Sequence, residues 1–156
     1  MSYTVPVLSY NKLSGVNGDA VYNIDWSFMS DDCDYKLSFS FVTKQVGQTS
    51  DLIMNNVYLL TCPDLGSRRC YLAGKTTTTL SSPEIGILRP YAITGSTAGS
   101  IFYGLTASIV DNPPIIIRGR PSSNQFMVQI YTIDKQALIN LNADYVLLLH
   151  FEKIKV

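Results

Sequence analysis

Short stretches in which one set of alternate positions is apolar dominate this chain. Tyr22, Ile24, Trp26 and Phe28 are set against Val21, Asn23, Asp25 and Ser27. Tyr35, Leu37, Phe39 and Phe41 face Lys36, Ser38, Ser40 and Thr43 across the next run. Phe126, Val128 and Ile130 interleave with Met127, Gln129 and Tyr131. A period of two is that of a strand with one face inward. Other runs are mainly apolar without the alternation: Leu52–Leu60, strongest at Val57-Tyr58-Leu59-Leu60, then the strand Ile101–Val110, Ile115-Ile116-Ile117 and the nearly continuous Tyr145–Phe151. The last predicts a strand buried on both faces, or with one face in an interface.

Turn formers separate these runs. Asn11–Asp19 carries Gly15, Asn17 and Gly18, and Pro63-Asp64-Leu65-Gly66-Ser67 and Asn112-Pro113-Pro114 are turn chemistry too. Arg118–Asn124 and the small residues of Gly95–Ser100 read as loops, and Gly74–Pro83 as a long polar connection before which Cys70-Tyr71-Leu72 forms a short strand. Ile85–Leu88 and Tyr91–Ile93 flank Pro90, as two edge pieces or one bent strand. Tyr3–Tyr10 contains Pro6 and reads as an arm or edge strand. Asp134–Ala143 is the one place where helix formers cluster. The expected fold is all-β: an antiparallel β-sandwich, a single jelly-roll of about eight strands. Residues 1–18 would be its N-terminal arm or edge strand and residues 19–156 its one domain.

Composition narrows the partners. Charged residues make up 15% of the 156 positions and the formal net charge is zero. Weak self-repulsion favours association, and a nucleic-acid partner is not expected because it demands a basic face. Ten tyrosines and six phenylalanines suit half-buried strands and contact surfaces alike. No run has the apolar length of a membrane helix, and Met1–Pro6 lacks the basic start and apolar core of a secretory leader. Cys33, Cys62 and Cys70 are then expected as thiols, although Cys62 and Cys70 could face each other across a hairpin.

Candidate chemistry is sparse. His150, the only histidine, would have to anchor any triad, but between Leu149 and Phe151 it reads as a strand residue at a core edge. Asp31, Asp32 and Asp34 lack the spacing, glycine and distal glutamate of an EF-hand calcium loop and read as a solvated turn, or as a loop on which a jelly-roll lectin places calcium. Gly74-Lys75 lacks the upstream glycine of a phosphate loop, since Arg69 stands there. Three cysteines and one histidine without a close cysteine pair give no zinc site. Tyr91, Phe102 and Tyr103 are candidates for stacking on a sugar ring, or core residues. Arg68 and Arg69, and Arg118 and Arg120, place paired arginines beside turns, to grip a carboxylate-rich partner or stand solvated, with Asp111, Glu84 and Glu152 as candidate local partners.

The order of features then resembles a known type. An N-terminal arm leads to the strands Tyr22–Phe28 and Tyr35–Val42 and a run ending Asp64-Leu65-Gly66. Asn112-Pro113-Pro114 follows, with a hairpin around Arg120-Pro121 and an apolar last strand ending His150-Phe151-Glu152-Lys153-Ile154. This resembles the small single jelly-roll structural proteins in the capsids of large eukaryotic DNA viruses. The resemblance implies a non-enzymatic coat component of the virion, made in the host cytoplasm and held by other capsid proteins, without cofactor or catalytic residues.

Assembly is also the reading of the residues themselves. An arm such as Ser2–Tyr10 can add to a neighbour's sheet edge, and closed homo-oligomers, trimers included, are common for such modules. Tyr3, Val5, Tyr10, Arg68, Arg69, Arg118 and Arg120 are the contact candidates, from the arm and the turn tips. The alternative is a carbohydrate- or receptor-binding β-sandwich of lectin or fibre-head type.

Overall fold

Residues 34–43 set the frame. Tyr35, Leu37, Phe39, Phe41 and Thr43 turn inward along one strand while Lys36, Ser40 and Val42 face solvent. The computed structural model describes residues 1–44, 57–74, 80–95, 101–133, 138, 139, 141 and 143–154. Among them lie twelve strands: β1 (Ser2–Leu8), β2 (Ser14–Val16), β3 (Asp19–Asn23), β4 (Asp34–Thr43), β5 (Tyr58–Thr61), β6 (Arg68–Leu72), β7 (Leu80–Glu84), β8 (Gly86–Thr94), β9 (Ile101–Thr106), β10 (Ile115–Arg118), β11 (Gln125–Thr132) and β12 (Tyr145–Lys153). Short 3-10 turns occupy Ser9–Asn11, Trp26–Phe28 and Pro63–Leu65. No helix among the described residues is long and apolar enough to cross a membrane.

Every strand pairing is antiparallel. A curled sheet runs β1-β12-β4-β9-β8-β5-β11-β3-β2, with β10 also on β4, and β6 and β7 form a separate ribbon. Of the two readings around Pro90 the structure has one strand, in which Gly86–Leu88 of β8 pair with β5, whereas Arg89–Thr94 pair with β9. This strand carries the sheet from one layer to the other. The result is the expected all-β antiparallel sandwich of jelly-roll type, with short strands such as β2, β7 and β10 raising the number above eight.

One continuous core fills the space between layers. Leu37, Phe39, Leu147, Leu149 and Phe151 enter from one side, and Leu60, Phe126, Val128 and Ile130 from the other. Trp26 closes one end: its ring lies edge-on to Phe151 at 5.6 Å and tilted to Phe126 at 5.8 Å, and its Nε1–H donates to the Ser123 carbonyl at 2.9 Å. Such pairs add to the area term. The apolar run of β12 resolves into two unequal faces, with Tyr145, Leu147, Leu149 and Phe151 buried and Val146, Leu148 and His150 half-buried. Leu148 stands between Pro6 of β1 and Ser40 of β4.

Three local expectations change. The strand expected over Val21–Phe28 stops at Asn23, because Asp25 accepts from the Ser27 N–H at 3.0 Å and caps a 3-10 turn. Phe28 therefore leaves the inner face and meets Tyr3 edge-on at 5.3 Å. Thr43 belongs to the buried face of β4, where its Oγ1 accepts from the Leu105 N–H at 2.7 Å. The second half of the supposed Gly74–Pro83 connection is β7, paired to β6 from Arg68↔Glu84 to Leu72↔Leu80. Of the Leu52–Leu60 run only residues 57–60 are described. The Asp134–Ala143 helix lies largely outside the described residues; Leu138 within it forms an antiparallel bridge to Tyr131.

The first segment is an edge strand within its own chain. β1 pairs with β12 in register from Ser2↔Glu152 to Leu8↔Val146, burying Val5 and Val7. The Lys153 N–H donates to the Met1 carbonyl at 3.0 Å, which fixes the phase of the ladder. Backbone groups of odd residues turn to β12 and those of even residues to the open edge. Pro6 thus stands on the open edge, where it offers no donor to an incoming strand.

Candidate interaction surface

The turn between β9 and β10 carries the most exposed apolar pair among the described residues. β9 ends at Thr106, and the Ala107 N–H reaches the Phe41 carbonyl at 3.3 Å. The chain then reverses. The Val110 N–H donates to Ser108 Oγ at 3.1 Å and the Asn112 N–H to the Ile109 carbonyl at 3.3 Å. Pro113 and Pro114 prevent any helical continuation. Ile109 and Val110 are left 89% and 91% exposed at the tip.

This tip is held from below. Asn112 is buried, and its side-chain amide takes the place of a neighbouring peptide group on β8. Its Oδ1 accepts from the Ile87 N–H at 2.5 Å, while Nδ2 donates to the Ile87 carbonyl at 3.1 Å and the Ser108 carbonyl at 2.7 Å. Beside it Arg89 grips Asp111 with two bonds, Nε to Oδ2 at 2.5 Å and Nη2 to Oδ1 at 2.9 Å. That fork holds the Asp111 carboxyl below its ordinary range and raises Arg89. Two bare aliphatic side chains are thus presented on a pinned scaffold. Burying such a pair is worth about 1.5–3 kcal/mol per side chain, and a pinned turn loses little further entropy on contact.

Sequence reading missed this pair because Ile101–Val110 looks like one strand. β9 supplies only Ile101–Thr106, and Ser108, whose hydroxyl competes for backbone donors, starts the turn. The clue available in the sequence was Ser108 followed by Asp111-Asn112-Pro113.

The expected contact residues are distributed differently. Val5 is part of the protein's own core and Tyr3 is partly buried against Phe28 and Tyr35, which removes Val5 from the contact candidates. Tyr10 remains exposed. Arg118 Nη1 meets Asp34 Oδ2 and Arg120 Nε meets Asp31 Oδ1, each at 2.6 Å. The acidic turn and the Arg118-Gly119-Arg120 tip therefore hold one another. Gly119, at φ +71°, lets the chain pass the Asp31 carbonyl, which a Cβ would meet at 2.9 Å. Arg68 Nε pairs with buried Glu84 at 2.6 Å and Nη1 donates to the Pro113 carbonyl at 2.7 Å. Arg69 is exposed, with no ion-pair partner among the described residues.

The remaining reactive groups are dispersed. His150 Nδ1 lies 3.2 Å from Thr4 Oγ1 across the β1–β12 pairing. Cys33, Cys62 and Cys70 are free thiols, and burial pushes the Cys62 thiol up. Glu84 is also pushed up by burial, against the opposing hydrogen bond from Arg68, and its Oε2 has no partner among the described residues. No group of three His, Cys, Asp or Glu side chains among the described residues is gathered to hold a metal. Tyr91 lies over Gly104, where a Cβ would meet its ring at 2.6 Å, and its hydroxyl donates to the Thr43 carbonyl at 3.2 Å. Its ring lies along the sheet and is half-buried, as are Phe102 and Tyr103. Lys75 lies outside the described residues. Comparison with protein-family models finds no match to the chain, and comparison with curated proteins finds none either.

Proposed function

We propose that this chain is a structural coat or capsid component that works by protein–protein contact. The observation that carries the reading is the Ile109–Val110 tip, two nearly bare apolar side chains on a turn fixed by Asn112 and the Arg89–Asp111 fork. Exposed apolar surface of this kind marks a contact site, and pinning it in advance lowers the cost of docking. The zero net charge removes a barrier to close packing. The likeness to single jelly-roll capsid proteins points the same way. In this reading the chain belongs to the virion and its partners are other capsid proteins or copies of itself.

Fractionation tests it. The chain made in its host cell is expected to sediment with assembled particles. The double variant Ile109→Ser/Val110→Ser is expected to stay in the unassembled fraction with unchanged thermal stability. A wild-type chain found only apart from particles, or a double variant that still assembles, overturns the reading.

A further inference from the structure

We propose that the outward face of β1, β12 and β4 packs on the same face of a second copy, about a two-fold axis parallel to the strands and between β12 and β4. This rests on the assembly reading above and names a partner and the surface that meets it. From Tyr145 to Phe151 and from Tyr35 to Thr43, the odd-numbered residues of β12 and β4 enter the core. The even-numbered residues between them point outward. Pro6 and Leu8 extend the face on β1, opposite Leu148 and Val146.

The charges on this face are sorted by strand. Glu152 of β12 stands opposite Lys36 of β4 at one end. At the other end the Lys44 N–H donates to the Asp144 carbonyl at 2.6 Å, one step past the Tyr145↔Thr43 pair. Both carboxylates thus lie along the line of β12 and both lysines along that of β4. All four residues are exposed, and none has an ion-pair partner among the described residues. Beyond them Asp34 is held by Arg118, and Asp111 by Arg89. The three rows between, His150–Ser38, Leu148–Ser40 and Val146–Val42, carry no carboxylate, lysine or arginine. Val42, 48% exposed, and half-buried Val146 form the apolar end.

A second copy is the occupant this pattern selects. The two-fold axis carries each residue of β12 over the β4 residue that it already faces in register. Glu152 then meets Lys36 of the second copy, Asp144 meets Lys44, and Val146 meets Val42, each contact occurring twice. Stacked sheets lie about 10 Å apart, a gap that opposed lysine and glutamate side chains bridge. An axis on β4 itself would set Lys36 on Lys36, and one on β12 would set Glu152 on Glu152, so charge fixes the placement. The outward face of the other layer has no such pattern. β3, β5 and β11 carry no lysine or arginine, and Asp19 already accepts from Gln129 Nε2 at 3.0 Å. The contact is isologous and closes at two copies.

Sedimentation of the full chain across concentration at low salt decides it. Wild type is expected to pair, and raised salt to weaken the pairing. Lys36→Glu sets carboxylate against carboxylate across the axis, and Glu152→Lys sets ammonium against ammonium. Each alone is expected to pair roughly tenfold more weakly. The two variants mixed are expected to pair with each other as wild type does, because every contact is then between opposite charges. The chain carrying both changes is expected to pair with itself for the same reason. Where a reversal fails to fold, Val42→Asp tests the same face from its apolar end and is expected to weaken pairing with an unchanged thermal midpoint. Variants that pair like wild type overturn the face. Single reversals that weaken pairing without recovery in the mixture overturn the two-fold placement. Either result leaves the assembly reading standing. A wild type that is monomeric throughout overturns the second copy as partner; particle fractionation then decides the assembly reading separately.

Discussion

The hydroxyls of Tyr22 and Tyr145 lie 2.6 Å apart inside the protein, joining β3 of one layer to β12 of the other. Both side chains are buried and both phenols are pushed up, chiefly by burial, so both remain protonated. One hydroxyl donates and the other accepts. Removing either oxygen by Tyr22→Phe or Tyr145→Phe leaves a buried hydroxyl without its partner, at a cost of about 1–3 kcal/mol. Removing both leaves no orphan, so the double variant is expected to be more stable than the sum of the two single losses allows. Urea unfolding of the four proteins measures the coupling; strictly additive losses would show that the contact holds no shared energy.

These tyrosines also mark what was legible in advance. Period-two patterns identified the inner faces of β4 and β11, because a half-buried strand writes its burial into the sequence directly. Around Pro90 the pattern left two edge pieces or one bent strand open, and pairing on both sides makes it one strand. The pattern failed where a local hydrogen bond overrides it, as at Asp25, which ends a strand that alternation alone would continue to Phe28. It failed again at Ser108, which turns Ile109 and Val110 out of a strand. It was blind to pairing: which carboxylate meets Arg68 or Arg89 depends on tertiary register. Val5 looked available because an arm and a paired edge strand have the same composition.

Gly86 sits where β8 leaves β7 and approaches Phe39. A Cβ built there would meet the Phe39 ring at 2.1 Å and Asn112 Oδ1 at 2.6 Å. Gly86→Ala is therefore expected to push on the core and on the Asn112 clamp together, at a cost of about 1–3 kcal/mol. The denaturation midpoint checks it. An unchanged midpoint would mean that Phe39 and Asn112 yield freely.

Glu84 predicts a pH dependence. Burial raises its carboxyl above the unfolded value, more than Arg68 lowers it. The folded state then holds the proton more tightly than the unfolded chain. Its contribution is fully present below the ordinary glutamate range and is lost as pH rises through the raised folded value. Comparing wild type with Glu84→Gln from pH 4 upward isolates it, about one unfolded glutamate pKa being the lower bound of the window. Wild-type stability relative to the variant is expected to fall with rising pH across that window. A relative stability that rises instead would place the charged Glu84–Arg68 pair as the favoured form.

Asn112 separates two properties of the exposed tip, its apolarity and its fixed shape. Asn112→Ala removes the bonds to the Ile87 N–H, the Ile87 carbonyl and the Ser108 carbonyl while leaving Ile109 and Val110 in place. Ile87 is half-buried, so water reaches its groups only in part, and a loss of about 1–3 kcal/mol in stability follows. The turn also gains freedom that docking must remove again, at about 0.5–1.5 kcal/mol for each side chain re-ordered. Association is therefore expected to weaken several-fold with every apolar atom of the tip still present. Hydrogen exchange at Val110 and sedimentation, measured on the same samples, report the loosening and its effect. Faster exchange with undiminished association would show that apolar surface alone drives the contact and that the clamp serves only the fold.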